Sequence, residues 1–133
     1  MIYQERESLR KLAKCWNSLS IGAIESELVD DVIYESQWVL TPIKGKKEFL
    51  LYLNSKFGAI KSSMKYKGMI VTAEIAVHPL IHNRPCIVLS QFTDGEMWQA
   101  LILLSNQGDK IKRIDVCFIP DPSVAKLTGE FPL

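Results

Sequence analysis

Cysteine and histidine are scarce in this chain, and their scarcity removes whole classes of protein. Cys15, Cys86 and Cys117 are the only cysteines. Odd in number, far apart and free of CxxC spacing, they argue against both a disulfide framework and a zinc knuckle. A reducing compartment fits such thiols best. His78 and His82 are the only histidines, and without clustered carboxylates they make a metal site unfavourable; no cofactor is expected. Charge of one sign is also missing. Lys and Arg number 16 against 15 Asp and Glu, a net +1, so no global field draws in nucleic acid or an anionic membrane. Nor do aromatic residues interleave with basic ones as a single-stranded nucleic-acid platform requires. No segment has the ~18 consecutive apolar residues of a membrane span. The N-terminal MIYQERESLRKLAK is charged from Glu5 onward and lacks the apolar core of a signal peptide. The expected product is soluble and cytoplasmic. Its 133 residues fit one domain, with a core over 2–119 and a tail over 120–133, large enough to bury roughly two-thirds of its unfolded surface without a staple.

What is present is a helical half followed by long strands. Leu9, Leu12, Ala13, Cys15, Trp16 and Leu19 recur at helical spacing, with charged residues opposite, and predict an amphipathic helix over 2–19. Ser20 is a plausible N-cap for a short second helix carrying Ile21, Ile24 and Leu28 and ending near Asp30, with Asp30 and Asp31 marking a turn. Ile33 to Leu40 reads as a strand with Tyr34, Ser36 and Trp38 on one face, closed by Pro42. A helix then starts near Gly45, buries Phe49, Leu50, Leu53 and Phe57, and ends at Gly58. Alternation predicts a strand from Tyr66 to Val77. Asp94-Gly95 predicts a hairpin between the strands at Cys86 to Phe92 and Met97 to Leu104, and a last strand covers Ile111 to Ile119. Pro120 and Pro122 end the sheet, and the tail packs through Leu127 and Phe131 or frays.

The run L-x-D-D-V-x-Y-x-S from Leu28 to Ser36, then P-I-x-G-K-x-E from Pro42 to Glu48, then a meander of strands, resembles the nuclear transport factor 2-like superfamily. That superfamily includes SnoaL-type cyclases and ketosteroid isomerases. The resemblance implies an α+β, cystatin-like cone, with N-terminal helices packed on a strongly curved antiparallel sheet that encloses a pocket. The outer sheet face often forms a homodimer in this superfamily. It also implies, for an isomerase, an Asp base, a Tyr and an acidic oxyanion donor. The corresponding positions here hold Ser36, Cys15 and Ala100, so carbon-acid isomerisation is not expected.

The expected ligand pocket comprises Cys15, Tyr34, Ser36, Trp38, Leu53, Trp98, Ala100, Ile114, Val116 and Phe118. The expected dimer interface comprises Met97, Gln99, Leu101, Leu103, Arg113 and Asp115, because the strand from Met97 to Leu104 is apolar on both faces. Tyr34, Ser36, Trp38 and Trp98 offer hydroxyl and indole donors, or else simply pack. Glu74 and His78 share a strand face but lie ~13 Å apart, and both histidines are expected in solvent. Arg113 and Asp115 are expected to form an outer ion pair, and Cys15 a packed thiol. Lys44, Gly45, Lys46 and Lys47 read as a solvated basic turn without P-loop spacing. The favoured function is a homodimer that binds a small hydrophobic molecule without catalysis. The alternatives are a SnoaL-like lyase, isomerase or hydrolase, and a dimerisation scaffold with a filled interior.

Overall fold

The computed structural model describes residues 2–37 and 39–133. Helix α1 spans Ile2–Ser18; five of the six apolar residues of the expected stripe lie in it, Leu19 just beyond, and all six are buried. Strands β1 (Leu28–Ser36) and β2 (Val39–Lys44) follow, then α2 (Lys46–Lys67), β3 (Ile70–His78), β4 (Arg84–Thr93), β5 (Glu96–Gln107), β6 (Lys110–Cys117) and a short β7 (Lys126–Leu127). The strands form one sheet in the order β2-β1-β6-β5-β4-β3-β7. Both helices pack on one face of it, α1 across β3 to β6 and α2 against β1 and β2. The fold is α+β as expected. The sheet is mixed, however, because β1 pairs β6 in parallel while every other pairing is antiparallel. Register shifts in the β1–β2, β1–β6 and β5–β6 pairings bend the strands locally.

Several boundaries differ from the expected ones. The second helix reduces to a single 3-10 turn at Glu25–Glu27, and Leu28 already begins β1. Asp30 and Asp31 therefore lie within a strand, exposed beside the register shift that separates Leu28 from Ile33. Pro42 sits inside β2 rather than closing it, which is tolerated because β2 is an edge strand where the missing donor faces no neighbour. Gly58 does not stop α2. Ile60 extends the buried stripe one turn past Phe57, and the helix ends instead at Gly68, whose φ of 66° is the left-handed conformation that a glycine adopts without strain. Strand β3 accordingly starts at Ile70, not at Tyr66. The Asp94-Gly95 hairpin forms as expected, both residues having positive φ as a two-residue primed turn demands.

The inner face of the sheet meets the helices in one core that includes Leu12, Trp16, Phe49, Phe57, Ile87, Ile102 and Ile114. Trp16 and Phe57 join the two helices edge to face at 5.0 Å, a favoured aromatic geometry. On the outer face a second, smaller cluster contains Ala76, Cys86, Val88 and Leu101, with Leu103 and Ala125 against it. Its cover is the C-terminal segment. Pro122 is buried in a 3-10 turn packed on β5. The chain then reaches the free edge of β3, where Ile75 and Thr128 bond through their backbones and Ile75 N–H donates to Glu130 O. Beyond it, the Arg10 guanidinium donates to Glu130 at 2.6 Å, and Asn17 Nδ2 donates to Ala73 O at 2.8 Å and Pro132 O at 2.6 Å. The tail thus forms a strap that does not depend on Leu127 and Phe131, which remain 54% and 42% exposed.

His78 is a further departure from the sequence-based expectation. It is fully buried rather than solvated. Its Nδ1 accepts from Leu80 N–H at 3.2 Å, which leaves Nε2 to donate to Asp121 O at 2.8 Å, a neutral imidazole pinning the start of the strap. His82 is exposed with a φ of 58°.

Candidate functional site

The helices do not fill the whole inner face. Between α1, α2 and strands β3 to β5 lies a cavity of about 250 Å³, walled by Trp16 and by Ala59, Ile60 and Ser63 of α2. Met69, Val71, Leu89 and Gln91 form its sheet side, with Trp98, Gln99 and Ala100 at the β5 end. A smaller chamber of about 90 Å³ adjoins it, lined by Tyr34, Ser36, Tyr52 and Val116. Trp16, Lys56, Leu89 and Ala100 line both chambers. An apolar cavity of ~150 Å³ already holds a benzene-sized molecule, so the larger chamber has room for a body of one or two small rings.

The α2 wall follows from its sequence. Tyr52, Lys56, Ala59, Ile60 and Ser63 recur at three- and four-residue steps and so share a helix face. That face sits beside the core stripe of Phe49, Leu53, Phe57 and Ile60. Gly45 allows α2 to begin where it does. Its N–H donates to Val32 O at 2.8 Å with a φ of 98°, a conformation costly for any residue with a side chain.

At the inner end, Tyr34 packs its ring against Phe49 at 5.3 Å and Tyr52 at 5.2 Å. Its hydroxyl is hydrogen-bonded to Tyr52 and Ser36, and burial, followed by the Tyr52 contact, pushes its pKa well above the ordinary tyrosine value. Tyr34 therefore remains a protonated donor throughout the physiological range. Lys56 Nζ lies 6.0 Å from the centroid of the Tyr52 ring. Among the described lining residues there is no Asp, Glu or His. No cluster of His, Cys, Asp and Glu fit to hold a metal occurs among the described residues.

The described residues of the expected pocket divide into three groups. Tyr34, Ser36, Val116 and Ala100 line the inner chamber, and Trp98 and Ala100 the outer one. Cys15, Leu53 and Ile114 lie behind the lining, each at most 1% exposed and closed in by the core; burial pushes the Cys15 thiol up to about 11, which keeps it protonated and unreactive. Phe118 packs against the core outside the lining, its amide donating to Gln37 Oε1 at 2.6 Å. Trp38 lies outside the described residues.

The expected interface is also corrected at one position. Leu101 is 0% exposed beneath the strap, so it offers no surface to another molecule. Met97 is 55% exposed. Gln99 bonds Ser90 at 3.1 Å, and Arg113 donates to Asp115 at 3.0 Å and to Glu35 at 2.6 Å on the outer face.

Sequence reasoning missed Trp16, Tyr52, Lys56 and Leu89 as wall residues. Trp16 lies in the buried stripe of α1 and reads as core, which it also is. The second face of α2 was the available signal for Tyr52 and Lys56.

No family model matches the chain, and no curated protein matches it. Solved structures do. A candidate ketosteroid isomerase from Kribbella flavida superposes with a TM-score of 0.62 at 15% identity, covering 86% of this chain and 76% of that one. A nuclear transport factor 2-like protein of unknown function from Cytophaga hutchinsonii gives 0.58 at 13% identity, covering 90% and 93%. An epoxide hydrolase of the LEH-like type from M. tuberculosis gives 0.55 at 12% identity, covering 86% and 81%. At such identities the likeness is one of fold, and the fold hosts unrelated activities.

Proposed function

Because this chain has the nuclear transport factor 2-like fold, a helix-lined cone over a curved sheet, we propose that it binds a small, largely apolar molecule inside the cone as a homodimer, without transforming it. The observation that carries this reading is the double chamber between Trp16, Leu89 and Trp98, apolar in its walls and without a described carboxylate or histidine in them. Proton transfer at carbon calls for a base of that kind, and a scaffold with a filled interior leaves no chamber. Titration with naphthol, followed by tryptophan fluorescence, tests it: saturable quenching is expected in the wild type and lost in Leu89→Trp, which fills the chamber. Absence of saturable quenching in the wild type overturns the reading.

The dimer is supported by a row on the outer face. Ile70 pairs with Phe92 and Phe92 with Met97 across three strands, and the three side chains are 54%, 40% and 55% exposed. Together with Gln99, Leu103, Arg113 and Asp115 they offer an apolar patch with a polar margin, the usual anatomy of an interface. Sedimentation is expected to give a dimer, and Met97→Glu a monomer. Three free thiols support a cytoplasmic setting, and no helix among the described residues is long and apolar enough to cross a membrane.

One observation favours catalysis as a second reading, namely the Tyr34 hydroxyl held between Tyr52 and Ser36 at the inner end. A phenol O–H turned from Tyr52 onto a carbonyl or epoxide oxygen would polarise it, as a lyase, isomerase or hydrolase of this fold needs. Tyr34→Phe separates the two: it abolishes turnover of a substrate but leaves binding of an apolar probe within about twofold.

A further inference from the structure

We propose that the molecule held in the cone carries a carboxylate or a comparable oxyanion, and that Lys56 is the group that pairs with it. This inference rests on the pocket reading above and adds the chemical class of the ligand. Lys56 lies in the lining of both chambers, so its side chain stands where an occupant of either one passes. The described ion pairs join Arg10, Lys11 and Arg113 to their carboxylates and leave Lys56 out. Its Nζ lies 6.0 Å from the centroid of the Tyr52 ring.

The two chambers therefore have one described ionisable cation in their walls and no described acid to balance it. Half-enclosed by apolar side chains, an ammonium interacts with an incoming charge more strongly than it does in open water. That selects an anion and disfavours a cation. The inner end adds the hydroxyls of Tyr34, Tyr52 and Ser36, each of which carries one O–H. A carboxylate can accept from an ammonium and a hydroxyl at once. Trp16, Leu89 and Trp98 are left to enclose the rest of the molecule, so its body is apolar and flat or compact.

Calorimetric titration of the full chain with naphthoate and with naphthamide tests this, because the two probes share a ring system and nearly the same shape but differ in charge at neutral pH. Naphthoate is expected to bind about tenfold more tightly, the usual advantage of a charge-assisted hydrogen bond. Lys56→Met is expected to erase that preference while leaving naphthamide within about twofold of wild type, and Lys56→Arg to keep it. Equal affinity of the two probes, or a preference that survives Lys56→Met, overturns the oxyanion assignment and leaves the pocket standing. Binding of neither probe by the wild type overturns the pocket reading and this inference with it.

Discussion

The two halves of β5 differ on both faces of the sheet at once. From Leu101 to Leu104 the strand is mostly closed: Ile102 and Leu104 meet the helices, and Leu101 lies under the C-terminal strap. From Glu96 to Gln99 it is open, with Trp98 at the cavity and Met97 facing out, each 55% exposed. An apolar run along a strand therefore does not have one cause. Half of it is covered within the chain, and the other half is exposed. The same strand thus carries stability at one end and the candidate binding surfaces at the other.

Truncations along β5 sharpen that contrast most. Ile102→Ala and Leu101→Ala, in the closed half, are each expected to cost about 2–5 kcal/mol. Trp98→Ala, in the open half, is expected to cost under about 1 kcal/mol while weakening an apolar probe. Urea denaturation of the three variants decides, and equal costs would erase the distinction between the halves. Next in size is the pin of the strap. His78→Ala leaves Asp121 O without its donor and is expected to cost about 1–3 kcal/mol. Hydrogen exchange should accelerate around residues 121–128 and leave α1 protected.

Acid should loosen the same strap reversibly. The Arg10 hydrogen bond holds Glu130 below the ordinary value of 4.5, and the Ser123 backbone N–H holds Asp121 below 3.8. Both acids are depressed in the folded state. Their contribution is therefore complete above the ordinary values and is lost as pH falls below them toward the folded-state values. Exchange at β7 is expected to rise below about pH 4.5, and Arg10→Gln to remove the part due to Glu130. The smallest effect concerns the exposed side of α2. A Cβ at Gly58 meets nothing within 4 Å, so Gly58→Ala is expected to stabilise α2 by about 0.5–1 kcal/mol. Thermal melts should record the gain, with probe affinity unchanged.

Much of the architecture was legible because it follows local periodicity. The α1 stripe, the Asp94-Gly95 hairpin and the inward alternation of β5 and β6 depend on nearest-neighbour spacing alone. Legibility failed where a distant partner decides. Gly58 looks like a helix end until Ile60 finds the core, and His78 looks solvated until Asp121 folds back over it. Leu101 looks like an interface residue for the same reason: its cover, around Pro122 and Ala125, lies more than twenty residues away in the chain. The parallel β1–β6 pairing is likewise invisible to alternation, which fixes a strand's faces but not its neighbours. In the candidate site, Tyr34, Ser36 and Trp98 follow from strand faces. Lys56 follows only once the core stripe of α2 is distinguished from the face beside it.

A methyl-resolved NMR titration of the wild-type protein with naphthol tests the central claim most directly, because the two surfaces of the open half carry different reporters. Met69, Val71 and Leu89 line the cavity, whereas Ile70 and Met97 face outward. Saturable shifts at Met69, Val71 and Leu89, with Ile70 and Met97 unmoved, are the predicted result. Shifts confined to Ile70 and Met97, or no saturable shift at any of the five, would contradict it.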